Sequence, residues 1–138
     1  MGRTIRFRGK DLKTGEWRYG FYTQGAFVDP LFGEEHVRHI IHSDTLYDIN
    51  PETIGQFTGL TDNDGKEIYD GDIVHGFYKG RYEKQTLVCI IEWDKDNACF
   101  DIHPLVEPDD EAGLLSEPDE ITVIGNIYDN PELLGQTK

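Results

Sequence analysis

The amino-acid sequence predicts an all-β fold, and three observations carry that prediction. Short runs alternate apolar and polar residues with period two, turn signals built on Gly and Asp separate them, and the helix start read at Asn130-Pro131 is followed by only about one turn.

Thr4 to Gly9 alternates Ile5 and Phe7 with Arg6 and Arg8, the period of a half-buried strand with one cationic face. Lys13-Thr14-Gly15 turns the chain. Glu16 to Thr23 then returns with Trp17, Tyr19 and Phe21 on one face, completing an aromatic-rich hairpin. Phe27-Val28 reads as a short strand ended by Asp29-Pro30. Val37 to Ser43 is ambiguous between strand and helix, and the β-branched Val37, Ile40 and Ile41 favour strand. His36, His39 and His42 recur here every third residue. On a strand that spacing turns His39 away from the other two, so surface or interface histidines are expected rather than a three-histidine metal site. Tyr47 to Asn50 leads to a turn at Pro51.

Thr53 to Val74 packs turn chemistry between short apolar runs. Asp64-Gly65, set between Ile54 and Phe57 on one side and Ile68 and Tyr69 on the other, is the signal of a two-residue hairpin whose central residues both take positive φ. Asp70-Gly71-Asp72 then redirects the chain into a strand beginning at Ile73-Val74. Asp62, Asp64, Glu67, Asp70 and Asp72 crowd this segment, so a calcium loop is the alternative. With Gly65 at the turn position of an EF-hand loop, however, Leu60 falls on the first ligand position and Gly71 on the bidentate one. Solvated turn carboxylates are expected instead.

C-terminal to this stretch, Ile73 to Tyr78 makes a strand and Lys79-Gly80-Arg81 a turn. Leu87 to Ile91 is a nearly continuous apolar run, as in a central strand covered on both faces. Asp94 to Asn97 is turn-prone, and Ala98 to Pro104 returns to close a second hairpin. Glu107 to Glu120 holds seven carboxylates, two prolines and no Lys or Arg, which is a loop around the apolar island Leu114-Leu115. Ile121 to Tyr128 is the last strand. Asn130 then reads as a helix N-cap with Pro131 at the first position, and Gly135 ends the helix after about one turn.

Composition narrows the function classes. The formal net charge of −14 opposes nonspecific binding to phosphate backbones. Six of the 13 basic residues nevertheless lie in the first 20 positions, and their expected partners are acidic groups of the same fold or of another subunit. Cys89 and Cys99 fall in apolar runs and read as reduced, buried side chains. No apolar run reaches membrane-spanning length, and a soluble, cytoplasmic protein is expected. Phosphate-loop, nucleophile-elbow and zinc-helix motifs are absent, and the serines are Ser43 and Ser116 alone.

These residues together resemble the YopX-like family of phage and prophage proteins. The resemblance rests on Ile5-Arg6-Phe7-Arg8, on Ile54 to Leu60 followed by Asp64 to Val74, on Ile91-Glu92-Trp93-Asp94, and on Val123 to Leu134. It implies a mainly β protein with an SH3-like barrel in its C-terminal part, encoded by phages or prophages, and it carries over no catalytic residues. The expected organisation is an N-terminal β-hairpin region over 1–52 and a barrel region over 53–138, with a short C-terminal helical turn.

The expected function is that of a non-catalytic accessory module that binds a host or phage protein or assembles with itself, without cofactor or metal. Arg6, Arg8, Arg18, Tyr22 and Tyr78 are the candidate contact residues, because Arg and aromatic side chains dominate interface energetics. Trp17 and Trp93 are expected in the core. Two alternatives are nucleic-acid binding through the Arg6 and Arg8 face and acidic mimicry of DNA.

Overall fold

The structure is a computed structural model, and it describes residues 4–78, 85–105, 113–114 and 118–135. The expected turn at Lys79-Gly80-Arg81, most of the acidic loop and Leu115 lie outside the described residues. The fold is all-β, with antiparallel sheets and two short 3₁₀ turns. The chain divides into two compact units, Met1–Phe57 and Thr58–Lys138. The division falls a few residues after the expected 52/53, because Gly55 and Gln56 pair with Arg8 and Phe7 and the Phe57 N–H donates to the Arg6 carbonyl.

In the first unit, β1 (Phe7–Lys10), β2 (Trp17–Val28), β3 (Glu35–His42), β4 (Leu46–Asp48) and the start of β5 (Gly55–Thr61) lie in the order β4-β3-β2-β1-β5. Gly15 supplies the positive φ of 74° that the β1–β2 turn needs, and the Asp11 carboxylate accepts the Lys13 N–H at 2.8 Å across it. Ile41 and Ile49 are fully buried. A Cβ on Gly9 would strike the Ile49 side chain, so the missing side chain is what lets β1 approach this core.

Period-two alternation puts Arg8 on a solvated cationic face. Instead Arg8 is only 6% exposed, with its guanidinium carbon 4.7 Å from the Trp17 ring centroid. A planar guanidinium stacks on an aromatic face more favourably than alternation alone suggests.

The second unit contains the end of β5, β6 (Glu67–Tyr69), β7 (Asp72–Tyr78), β8 (Gln85–Asp94), β9 (Cys99–Pro104), β10 (Gly113–Leu114) and β11 (Glu120–Asn126). Five of these form a sheet in the order β10-β9-β8-β7-β11. The apolar run of β8 occupies its centre, as expected, and Ile68, Val74, Leu87, Cys89, Ile91 and Ile102 make the core. Among the described residues this sheet is open rather than a closed barrel. At its β11 edge, the Asn63 N–H donates to the Ile121 carbonyl at 3.0 Å. That edge is thereby met by the β5–β6 turn.

That turn corrects two expectations. Gly65 has φ of 82°, but Ala98 is the one described non-glycine residue with positive φ, so Asp64 is not the left-handed partner of a two-residue turn. The connection is a longer turn in which the Gly65 N–H donates to the Asp62 carbonyl, and Gly65 alone absorbs the reversal. Nor is Asp62 solvated. It is 8% exposed and accepts the N–H groups of Asp64, Lys66 and Val123, each at 2.9 Å. Burial pushes its pKa up, but the three donors and the Lys66 charge outweigh burial and hold it below the ordinary aspartate value. Asp72 is buried too, accepting the Tyr69 N–H at 2.8 Å. Gly71, with φ of 90°, redirects the chain as expected.

The C-terminal turn over Pro131–Gly135 is 3₁₀. The expected side-chain cap from Asn130 takes another form. Its Oδ1 accepts the Asn126 N–H at 3.2 Å, beside Gly125, where a Cβ would strike it.

Candidate interaction surface

The longest ladder of the first unit joins β2 and β3, from Phe21↔His42 to Val28↔Glu35. On the other side of β2, β1 reaches only Gly20. On the other side of β3, β4 covers only Ile40 to His42, and the Ile49 N–H reaches the His39 carbonyl at 2.8 Å. Among the described residues, the hairpin from Gly25 and Arg38 to the tip is therefore a two-stranded arm whose ladder runs between its own two strands.

The tip is held by Asp29. Its Oδ1 accepts the N–H of Leu31 at 2.7 Å and of Phe32 at 3.2 Å, while its own N–H donates to the Glu34 carbonyl. Such side-chain-to-backbone bonds are what Asp offers a turn. The result is an ordered tip that presents Leu31 at 84% and Phe32 at 76% exposure. Phe27, Val28 and Val37 are also exposed along the arm. An open hollow of about 410 Å³ lies beside them, lined by Gly25, Ala26, Phe27, Arg38 and Ile40. The Phe27 ring stacks on His36, with centroids 5.2 Å apart, and Arg38 ion-pairs with Asp48 at 2.8 Å. Exposed apolar side chains gathered at one end of a folded element mark contact surfaces.

The residues singled out from sequence lie mostly elsewhere. Arg6 sits 5.9 Å from the Phe57 ring centroid, and Arg8 is buried on Trp17. Arg18 pairs with Asp11 at 3.1 Å and with Glu16 at 3.2 Å, and lies 4.0 Å from the Tyr47 ring centroid. The Lys13 N–H, together with the Arg18 guanidinium, holds the Asp11 carboxyl below its usual range against the opposing effect of burial. Arg18 thus meets the acidic partners expected for the basic segment, whereas Arg6 and Arg8 are seen against aromatic rings.

Tyr22 does belong to the hairpin. Its hydroxyl meets His39 Nδ1 at 2.5 Å and accepts from Gln24 Nε2 at 2.9 Å. The side chain of Tyr78 lies outside the described residues. Trp17 is half-buried, but Trp93, expected in the core, is 49% exposed and packs edge-on against Phe100. Sequence reasoning missed Leu31, Phe32 and Val37. The available signal was the apolar pair Leu31-Phe32 placed directly after the Asp29-Pro30 breaker.

Among the described residues one group has the composition of a metal site, Asp94, Cys99 and Asp101, whose ligand atoms lie within 4.8 Å of one another. Its chemistry is already committed. Asp94 accepts from the Asp96 and Asn97 N–H groups and from the Asn97 side chain, which fixes the β8–β9 turn. The Cys99 thiol donates to Asp101 at 3.3 Å, and that bond and burial push its pKa up, away from the thiolate a metal or an electrophile needs.

A profile of the family described as YopX protein matches residues 6–135. Among solved structures, the crystal structure of protein EF1440 from Enterococcus faecalis is similar, with a TM-score of 0.56 at 22% identity over 96% of this chain and 99% of that one. At that identity the likeness is one of fold. No curated protein matches. Among the described residues no helix is long and apolar enough to cross a membrane.

Proposed function

The chain belongs to the YopX protein family, and from that premise we propose that it is a non-catalytic phage or prophage accessory protein that binds another protein through the β2–β3 arm. One observation carries the reading: an ordered, two-stranded arm exposes Phe27, Val28, Leu31, Phe32 and Val37 to solvent. Exposing them costs apolar burial that the fold forgoes, and a partner surface recovers it. The same reading takes the second unit as an SH3-like sheet, bent by the bulge between Val123 and Gly125 and serving as scaffold. The nucleic-acid alternative has less support, because Arg8 is buried and Arg18 is ion-paired.

The test compares the native chain with the double variant Leu31→Ser, Phe32→Ser. Both are used as bait in infected host cells, and both are weighed in solution. The expected result is an unchanged melting temperature with loss of a captured protein or of self-association. A variant that captures and associates as the native chain does overturns the arm as the contact surface.

A further inference from the structure

We propose that the open edge of β3 pairs with the same edge of a second copy of this chain, forming a two-fold dimer centred on His36; this rests on the arm as the contact surface. The backbone sets the register. Because the Ile49 N–H donates to the His39 carbonyl on the outer side of β3, odd-numbered residues there aim their main-chain groups outward and even-numbered ones face β2. Glu35 and Val37 therefore hold the outward N–H and C=O groups beyond the reach of β4. Two identical antiparallel neighbours are related by an axis normal to the sheet, so paired residues share parity. Centring on His36 pairs Glu35 of each copy with Val37 of the other, satisfying the outward groups of both. Centring on Val37 would instead require His39, whose carbonyl Ile49 already occupies.

The side chains fit the same register. Glu34 of one copy falls opposite Arg38 of the other, and the symmetry repeats the pair. Glu34 is exposed, and the Arg38 guanidinium, bound to Asp48 through Nε at 2.9 Å and Nη2 at 2.8 Å, is also exposed at the strand edge. The contact is local enough to work against a net charge of −14 per chain, and physiological salt screens the remaining repulsion.

The full chain is tested by sedimentation equilibrium at about 100 μM and physiological salt. The native chain is expected to dimerise. Val37→Pro removes an outward N–H without touching the β2–β3 ladder, and should give a folded monomer. E34R and R38E should each be monomeric alone, since each sets like charges opposite one another, and should dimerise when mixed. A native chain that is monomeric overturns the second copy as occupant, while the bait comparison with Leu31→Ser, Phe32→Ser separately decides whether the arm binds another protein. A dimer that survives Val37→Pro, or charge variants that fail to pair on mixing, overturns this register.

Discussion

A carboxylate oxygen of Asp62 lies 2.9 Å from the main-chain nitrogen of Val123, a residue 61 positions later in the chain. The other oxygen accepts from Asp64 and Lys66, so one buried side chain both shapes the β5–β6 turn and ties it to β11. Asp62→Ala removes three charge-assisted bonds and should cost about 2–3 kcal/mol, because the Val123 donor loses its partner in a place water reaches poorly. Chemical denaturation of the two proteins measures the difference.

The same carboxyl predicts an acid limb. Its folded pKa lies below the unfolded value. Its stabilisation is therefore fully present above the ordinary aspartate range, near about 3.9, and is lost as pH falls through the lower folded value. Asp62→Asn should be less stable than the native chain at neutral pH and should lose less on acidification. Parallel slopes for the two proteins below about pH 4 would assign the acid limb to other carboxyls.

Strand positions were legible because they rest on local periodicity. Leu87 to Ile91 announced a central strand, and the alternation around Trp17 announced β2. The role of Asp62 was not legible, because its partner Val123 is distant and a carboxylate in a turn has the same sequence signature whether solvated or buried. Arg8 misled for a related reason: alternation gives a side chain's direction, while the Trp17 ring that covers it is a tertiary fact. The arm escaped notice because Leu31 and Phe32 look like core residues until the structure shows both exposed among the described residues. Exposure is a property of the fold and leaves no mark on a single sequence.

Ala98 has φ of 52° at the end of the β8–β9 turn. A Cβ in that region costs about 1–2 kcal/mol, and glycine removes the clash while adding some freedom to the unfolded chain. Ala98→Gly should therefore stabilise the protein by about 0.5–1 kcal/mol. A lower melting temperature for the variant would show that the turn relaxes to accommodate alanine.

Asp29 orders the tip through the N–H groups of Leu31 and Phe32. Asp29→Ala should speed hydrogen exchange at these two amides while leaving the β2–β3 ladder near Tyr22 protected. The arm's binding should weaken as well, since a loosened tip must be ordered again on contact. Unchanged exchange at Leu31 would show that the Glu34 carbonyl and Gly33 suffice to hold the turn.

Cys99 and Cys89 form a matched pair of probes. Cys89 is fully buried, whereas Cys99 is partly accessible and donates to Asp101. The Asp101 bond, and burial after it, raise the Cys99 pKa and deplete the reactive thiolate. Asp101→Asn removes the negative charge and the stronger acceptor, so alkylation of Cys99 near pH 8 should accelerate about three- to tenfold. Cys89 should stay unmodified in both proteins until they unfold, which separates a local change in thiol acidity from a general loosening of the sheet. Equal rates at Cys99 would mean that access rather than acidity limits the reaction. Acceleration at both thiols would mean that Asp101 holds the β8–β9 hairpin together.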